Sequence, residues 1–69
     1  SKESALENVK LNDLLKKAKD AFQKNDLKTA SLFLNEIIDQ NPNATEAYFY
    51  LANVFHVRGE LGKAIKGFQ

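Results

Sequence analysis

The chain repeats itself: when the sequence is shifted by 34 residues, apolar and turn-forming positions of a first copy fall on equivalent positions of a second. Three of these pairs are identical residues, namely Ala18 with Ala52, Leu27 with Leu61, and Ala30 with Ala64. Four more pairs keep their physical character: Leu14 with Tyr48, Asn25 with Gly59, Asp26 with Glu60, and Leu34 with Phe68. A repeat of this length is typical of stacked supersecondary units that bury their apolar faces against one another.

Within each copy the apolar residues recur at spacings of three and four, which predicts amphipathic α-helices. We predict four helices, the first ending near Asn25 and the second ending at Asn41, because Pro42 disfavours the helical conformation in the residue before it. Gly59 is a natural C-terminal stop for the third helix, and a short fourth helix would begin near Glu60. The absence of any strand pattern predicts an all-α fold of tandem antiparallel helix-turn-helix hairpins.

The start of the first helix is open between two interpretations. Residues 4–7 read as a capping box, which would start the helix near Ser4. A start near Asn12 would instead leave residues 1–10 as an N-terminal lead. The chain is then a single domain in which residues 11–44 form the first repeat and residues 45–69 form a second, truncated repeat.

Two further helix starts carry N-cap chemistry. Asp26 is expected to cap the second helix, because a short acidic side chain can accept a hydrogen bond from the first free backbone N–H groups. Residues 43–46 read as a second capping box at the start of the third helix.

The composition excludes several classes of function. Ten Lys and Arg against nine Asp and Glu give a net charge of +1, which carries no electrostatic footprint for nucleic acid. No apolar stretch is long enough for membrane insertion. With no Cys and one His, His56, the chain offers neither disulfides nor a set of metal ligands, so we expect no cofactor and no metal.

The positions that match between the two copies resemble the tetratricopeptide repeat family. The matching residues of the second copy are Tyr48, Leu51, Ala52, Phe55, Gly59, Leu61, Ala64 and Phe68. Those of the first copy are Leu14, Ala18, Leu27, Ala30, Leu34, Ile37 and Pro42. The resemblance extends from Leu11 to Gln69 and implies a fragment of an α-solenoid. The chain departs from the family pattern at Lys17, where a Leu is usual, and at Ala21, where a large aromatic residue is usual.

Close helix packing gives the pattern its physical reason. Small residues allow two helix axes to approach near the short end of the usual range of about 8–10 Å, and large residues fill the space beside them. In the third helix, this interpretation makes Tyr48, Leu51, Ala52 and Phe55 the packing face. The residues expected to pack are Ala18, Ala30, Ala52, Ala64, Leu51, Phe55 and Phe68, with Pro42 turning the chain between repeats.

The resemblance also implies a concave groove lined by the first helix of each repeat. The implied groove positions are Asn12, Leu15, Lys16, Lys19, Phe22, Gln23, Glu46, Phe49, Tyr50, Asn53, His56 and Val57. Among them, the candidate partner-binding residues are Asn53, Phe49, Tyr50, His56, Lys16, Lys19 and Phe22. Exposed aromatic rings and an amide suit peptide recognition, since rings supply contact area and an amide both donates and accepts hydrogen bonds.

These candidates have structural alternatives. Phe49 could pack against the first helix while Tyr50 covers lysine stems. Lys16, Lys17 and Lys19 could form a solvated face with nearby aspartates. Phe49 also stands where relatives that clamp a carboxylate tail hold a Lys, so a full clamp is not expected.

The sequence thus predicts a non-catalytic interaction module or scaffold that binds a peptide or helical segment of a protein partner. We find no catalytic constellation: Glu36 and Asp39 have no opposing carboxylate, and residues 59–64 lack the spacing of a phosphate loop. Two alternatives stay open, an accessory domain of a larger enzyme and a self-assembly unit. The second copy stops early, so the chain is expected to be a piece of a longer repeat protein, and Ile65 and Phe68 would lie on an edge that a second copy could cover.

Overall fold

The computed structural model describes the backbone of residues 1–67 and the side chains of residues 1–59. The described backbone contains three helices: α1 (Lys2–Gln23), α2 (Leu27–Gln40) and α3 (Thr45–Gly67). No strand occurs in residues 1–67, so the all-α fold class is confirmed. None of the helices in this part of the chain combines the length and the hydropathy needed to span a membrane.

The first helix begins earlier than either predicted start. Ser1 is the N-cap of α1, and its hydroxyl oxygen accepts a hydrogen bond from the backbone N–H of Ser4 at 3.2 Å. The expected cap at Ser4 is therefore wrong by one helical turn. Residues 2–10 belong to α1, but all of them are exposed, so this end of the helix extends beyond the packed part of the domain.

The turn between α1 and α2 confirms the predicted chemistry of Asn25 and Asp26. Asn25 adopts a left-handed conformation with a φ of 61°. The N–H of Asn25 donates to the carbonyl of Phe22, and that of Asp26 donates to the carbonyl of Ala21, which together form a Schellman motif. Asp26 then caps α2, because its carboxylate accepts a hydrogen bond from the backbone N–H of Thr29 at 3.2 Å.

The turn between α2 and α3 ends the second helix where predicted, with Asn41 as its C-cap. The Asn41 side chain accepts a hydrogen bond from the N–H of Asn43 at 3.3 Å, and the hydroxyl of Tyr48 donates to the carbonyl of Pro42 at 2.9 Å. The capping box expected over residues 43–46 is not found, because the carboxylate of Glu46 is instead paired with a lysine of α1.

The hydrophobic core lies between α2 and its two neighbours, since α2 packs against both α1 and α3. Ala18 of α1 is 2% exposed and Ala30 of α2 is 0% exposed, so both alanines lie in the core. The core residues of the described part of the chain are Ala18, Ala21, Leu27, Ala30, Leu34, Ile37, Ala47 and Val54. Several of these side chains are small, which allows the helices to approach closely.

The third helix does not end at Gly59. It continues to Gly67, so the predicted short fourth helix is wrong over residues 60–67, and no glycine of the described backbone has a positive φ. A glycine inside a helix costs about 1 kcal/mol relative to alanine, which a long helix can tolerate. Gly59 does not adopt the left-handed conformation that Asn25 adopts at the end of α1, so α3 continues past it.

The face that α3 buries also differs from the predicted one. Ala47 and Val54 are buried, and Tyr50, Leu51 and Val57 pack partly against the core. Of the expected packing residues, Leu51 is half-buried, whereas Ala52 is exposed and Phe55 is 59% exposed. The side chains of Ala64 and Phe68 lie outside the described residues.

The physical reason is that α3 is apolar on two sides, roughly 100–120° apart around the helix, so its periodicity alone does not determine which side faces α2. The side that bears Tyr48, Ala52 and Phe55 would need another helix against it. No other helix of the described chain lies there, and these three residues are exposed.

Candidate partner-binding surface

A cross-helix ion pair brings α1 and α3 together on one side of the molecule. The ammonium of Lys19 lies 3.3 Å from a carboxylate oxygen of Glu46, and both side chains are partly exposed. Glu46, Tyr50 and Asn53 follow one another at i, i+4 and i+7, which places them on the same side of α3. We call the surface around Lys19, Glu46, Phe49, Tyr50 and Asn53 the α1–α3 surface.

Two aromatic rings extend this surface along α3. The ammonium of Lys19 also lies 5.4 Å from the ring centroid of Tyr50, within the range of a cation–π interaction. The ring of Phe49 meets that of Tyr50 edge-on, with centroids 5.7 Å apart and an interplanar angle of 85°. Tyr50 is half-buried against the core, whereas Phe49 is 64% exposed, so Phe49 is the outermost ring of the group.

The protonated form of Lys19 is stabilised by its surroundings. The hydrogen bond to Glu46 and the negative charge of that carboxylate raise the pKa of Lys19 above its ordinary value, and Tyr50 acts in the same direction. Desolvation acts in the opposite direction and is outweighed. Because both charged groups remain in contact with water, the pair orients the two helices more than it stabilises them.

A cavity of about 220 Å³ opens next to the ion pair, between α1, the end of α2, the turn of residues 41–44 and the start of α3. Its apolar lining residues are Leu11, Leu15, Ile37, Ala44 and Ala47. Its polar lining residues are Asn8, Asn12, Asn41, Thr45 and Glu46. The predicted groove positions Asn12, Leu15 and Glu46 thus lie together at this cavity. Its size suits an amino-acid side chain, since sites for drug-sized ligands measure about 300–1,000 Å³.

A wider depression of about 480 Å³ lies on α1 alone and is lined by six charged or polar residues: Asp13, Lys16, Lys17, Lys19, Asp20 and Gln23. Lys17 is paired with Asp13 at 3.2 Å and Lys24 with Asp20 at 3.0 Å, both along the helix. This open charged surface of one helix matches the solvated-face alternative for Lys16 and Lys17. We therefore base the candidate site on the smaller cavity, which residues of all three helices and of the turn line.

The remaining candidate residues have mixed positions. Asn53 is half-buried and His56 is exposed. Phe22 is half-buried and packs against the core, so its ring contributes to stability. In residues 1–59, no three His, Cys, Asp or Glu side chains converge in a way that could hold a metal ion.

Three polar residues of the cavity are not among the predicted groove positions: Asn8, Asn41 and Thr45. Asn8 lies in the part of α1 that could have been a lead, and Asn41 was read only as the residue before Pro42. A signal for Asn41 was present, since asparagine in a turn often accepts a hydrogen bond from the backbone two residues later. Nothing in the sequence pattern marks Asn8.

Comparison of the chain with protein-family models, with curated proteins and with solved structures finds no match. The resemblance to tetratricopeptide repeats therefore rests on the residues of this sequence alone, and the function is argued from the surface.

Proposed function

We propose that the chain is a non-catalytic protein-interaction module of the tetratricopeptide type, which binds a peptide or helical segment of a protein partner across the α1–α3 surface. The observation that carries this proposal is the exposure of Phe49 at the outer edge of a group of contacting side chains. Lys19, Glu46 and Tyr50 hold that group between two helices.

The exposed ring of Phe49 provides the apolar anchor. Aromatic side chains supply a large contact area at a low cost in conformational entropy, and they dominate the binding energy of many interfaces. Phe49 is positioned by its edge-on contact with Tyr50, which is itself held against the core. A partner side chain would therefore meet a ring that is already oriented.

The cavity next to Glu46 provides the second contact. Its apolar floor suits one aliphatic side chain, and the amides of Asn8, Asn12 and Asn41 surround it. An amide can donate to a carbonyl and accept from an N–H, so these residues can pair with the main chain of a peptide in either direction. The ligand that fits is thus an uncharged or weakly charged segment with an exposed apolar side chain.

The proposal is tested by selecting random 12-residue peptides on the immobilised chain and measuring their dissociation constants by titration. We expect Phe49→Ala to lower the affinity of the chain for the selected peptides by tenfold or more, because truncation of an anchor residue typically has an effect of this size. Phe55→Ala is the matched control, because it truncates the same residue type at 59% exposure on another side of the same helix. We expect it to change the affinity by less than twofold.

Two results would overturn the proposal. One is the selection of no peptide above the background of an unrelated helical protein. The other is an equal loss of affinity in the two variants, which would place the binding surface away from Phe49. Far-UV circular dichroism of each variant checks that helicity is retained.

A further inference from the structure

The third helix leaves one of its two apolar sides uncovered. Ala47 and Val54 are buried against the core, whereas Tyr48, Ala52 and Phe55 on an adjoining side are exposed. We call Tyr48, Ala52 and Phe55 the outer α3 face. A helix whose apolar surface is wider than a single stripe is normally covered over that wider surface.

The internal repeat indicates what covers this face. A shift of 34 residues places Tyr48, Ala52 and Phe55 on Leu14, Ala18 and Ala21 of α1. In α1, Ala18 and Ala21 are buried and Leu14 is half-buried against the core. The helix that packs there is α2, through residues that include Leu27, Ala30 and Leu34. The same shift places these three residues of α2 on Leu61, Ala64 and Phe68.

The turn that folds α2 back onto α1 has its own counterpart. Asn25, with a φ of 61°, corresponds to Gly59, and the N-cap Asp26 corresponds to Glu60. Glycine enters the left-handed region with no steric penalty, so Gly59 can adopt the conformation that Asn25 adopts. In the straight α3, a Cβ added to Gly59 would meet no atom within 4 Å, so packing does not require a glycine at this position.

We infer that α3 has a second conformation in which Gly59 is a hinge and residues 60–67 fold back over Ala52 and Phe55 of the same chain. In this hairpin, helical hydrogen bonds around Gly59 are lost, and Ala52 and Phe55 become buried. Eight helical residues extend about 12 Å back along α3, which is short of Tyr48. This inference concerns a side of α3 other than the α1–α3 surface, and it stands whether or not that surface binds a partner.

The two conformations differ in a distance that can be measured. In a straight helix, the Cα atoms of Thr45 and Lys66 lie about 32 Å apart, at about 1.5 Å per residue. In the hairpin, the same atoms lie about 15 Å apart, from an offset of about 12 Å along α3 and a separation of about 8–10 Å between the helix axes. The chain has no cysteine, so Thr45→Cys with Lys66→Cys provides two unique sites for spin labels.

We expect pulsed electron paramagnetic resonance on the doubly labelled chain to show a short-distance population in addition to the long one. Gly59→Ala should reduce the ratio of short to long distances roughly fivefold or more, because alanine favours the helix and disfavours the left-handed turn. Gly62→Ala is the matched control: it makes the same change inside a segment that is helical in both conformations, so the ratio should stay unchanged.

A second variant tests the covered face itself. Ala52→Asp should abolish the short-distance population, because the hairpin would bury a carboxylate, while the straight form leaves residue 52 exposed. A single population near 32 Å in the unsubstituted chain would overturn the inference. So would a short distance that disappears when the labelled chain is diluted into excess unlabelled chain, since the segment would then come from a second copy.

Discussion

The ammonium of Lys19 and the carboxylate of Glu46 lie 3.3 Å apart and connect α1 directly to α3. The two helices are separated in the sequence by the whole of α2, and the pair is a direct contact between them on the α1–α3 surface. Because it also places Lys19 over Tyr50, it links the electrostatics of the surface to its aromatic group.

The ion pair predicts a loss of stability at high pH. The pKa of Lys19 is raised above 10.5 by Glu46, so its contribution is fully present below pH 10.5 and is lost as the pH rises through the folded-state pKa. Thermal unfolding of the unsubstituted chain and of Glu46→Gln, followed by circular dichroism between pH 9 and about pH 12, should show two midpoints that converge as the pH rises. A difference that does not depend on pH would contradict the prediction.

The N-cap of α2 predicts a loss of stability at low pH. Hydrogen bonds from the side chain and backbone of Thr29 lower the pKa of Asp26 below 3.8, with the charge of Lys28 acting in the same direction. The stabilisation is therefore present above pH 3.8 and lost as the pH falls through the lower folded-state pKa. We expect Asp26→Asn, which keeps a capping oxygen, to remove most of this acid-side dependence in thermal melts. If the thermal midpoint of Asp26→Asn fell at low pH as steeply as that of the unsubstituted chain, the pH dependence would come from other carboxylates.

The left-handed residue of the first turn predicts a stability difference between two substitutions. Asn25→Ala should destabilise the fold by about 1 kcal/mol, because an alanine at a φ of 61° pays the steric penalty of the left-handed region. Asn25→Gly, the control at the same position, should be neutral or slightly stabilising. Urea unfolding of the two variants measures the difference, and equal midpoints would mean that the turn changes its conformation.

Two leucines of α2 differ in burial, so the same substitution should cost much more stability at one than at the other. Leu34 is 1% exposed and Leu32 is 62% exposed. Leu34→Ala should lower the free energy of unfolding by about 2–5 kcal/mol, through lost burial and the cavity left behind. Leu32→Ala should stay within about 0.5 kcal/mol of the unsubstituted chain. Chemical denaturation followed at 222 nm provides both values, and similar losses would show that α2 is rotated relative to this description.

The elements predicted correctly from the sequence are those fixed by local chemistry. Hydrogen bonds between residues close in the sequence determine the turn at Asn25 and Asp26 and the end of α2 at Asn41. The continuation of α3 through Gly59 was not predictable in this way, because a glycine is compatible with both a helix interior and a helix end. The buried side of α3 was missed for a related reason. The side with Ala47 and Val54 and the side with Tyr48, Ala52 and Phe55 are both apolar, and only the position of α2 decides which of them is buried.

In the candidate site, several contacting side chains were predicted from the sequence, but the cavity beside them was not. Lys19, Glu46, Phe49 and Tyr50 were expected near one another, and they are in contact. The cavity beside Glu46 was not expected, because it exists only where the N-terminal part of α1 passes the turn of residues 41–44. Such a junction of several elements has no periodic signature in the sequence.

The hydrogen bond from the Tyr48 hydroxyl to the Pro42 carbonyl has an optical consequence. The chain contains two tyrosines and no tryptophan, so emission excited beyond the absorption of phenylalanine comes from Tyr48 and Tyr50. One of these phenols reports on the α2–α3 turn and the other on the neighbourhood of Lys19. A single Tyr48→Phe substitution would leave Tyr50 as the one tyrosine, so that the proposed binding at the α1–α3 surface could be followed by tyrosine emission without any attached dye.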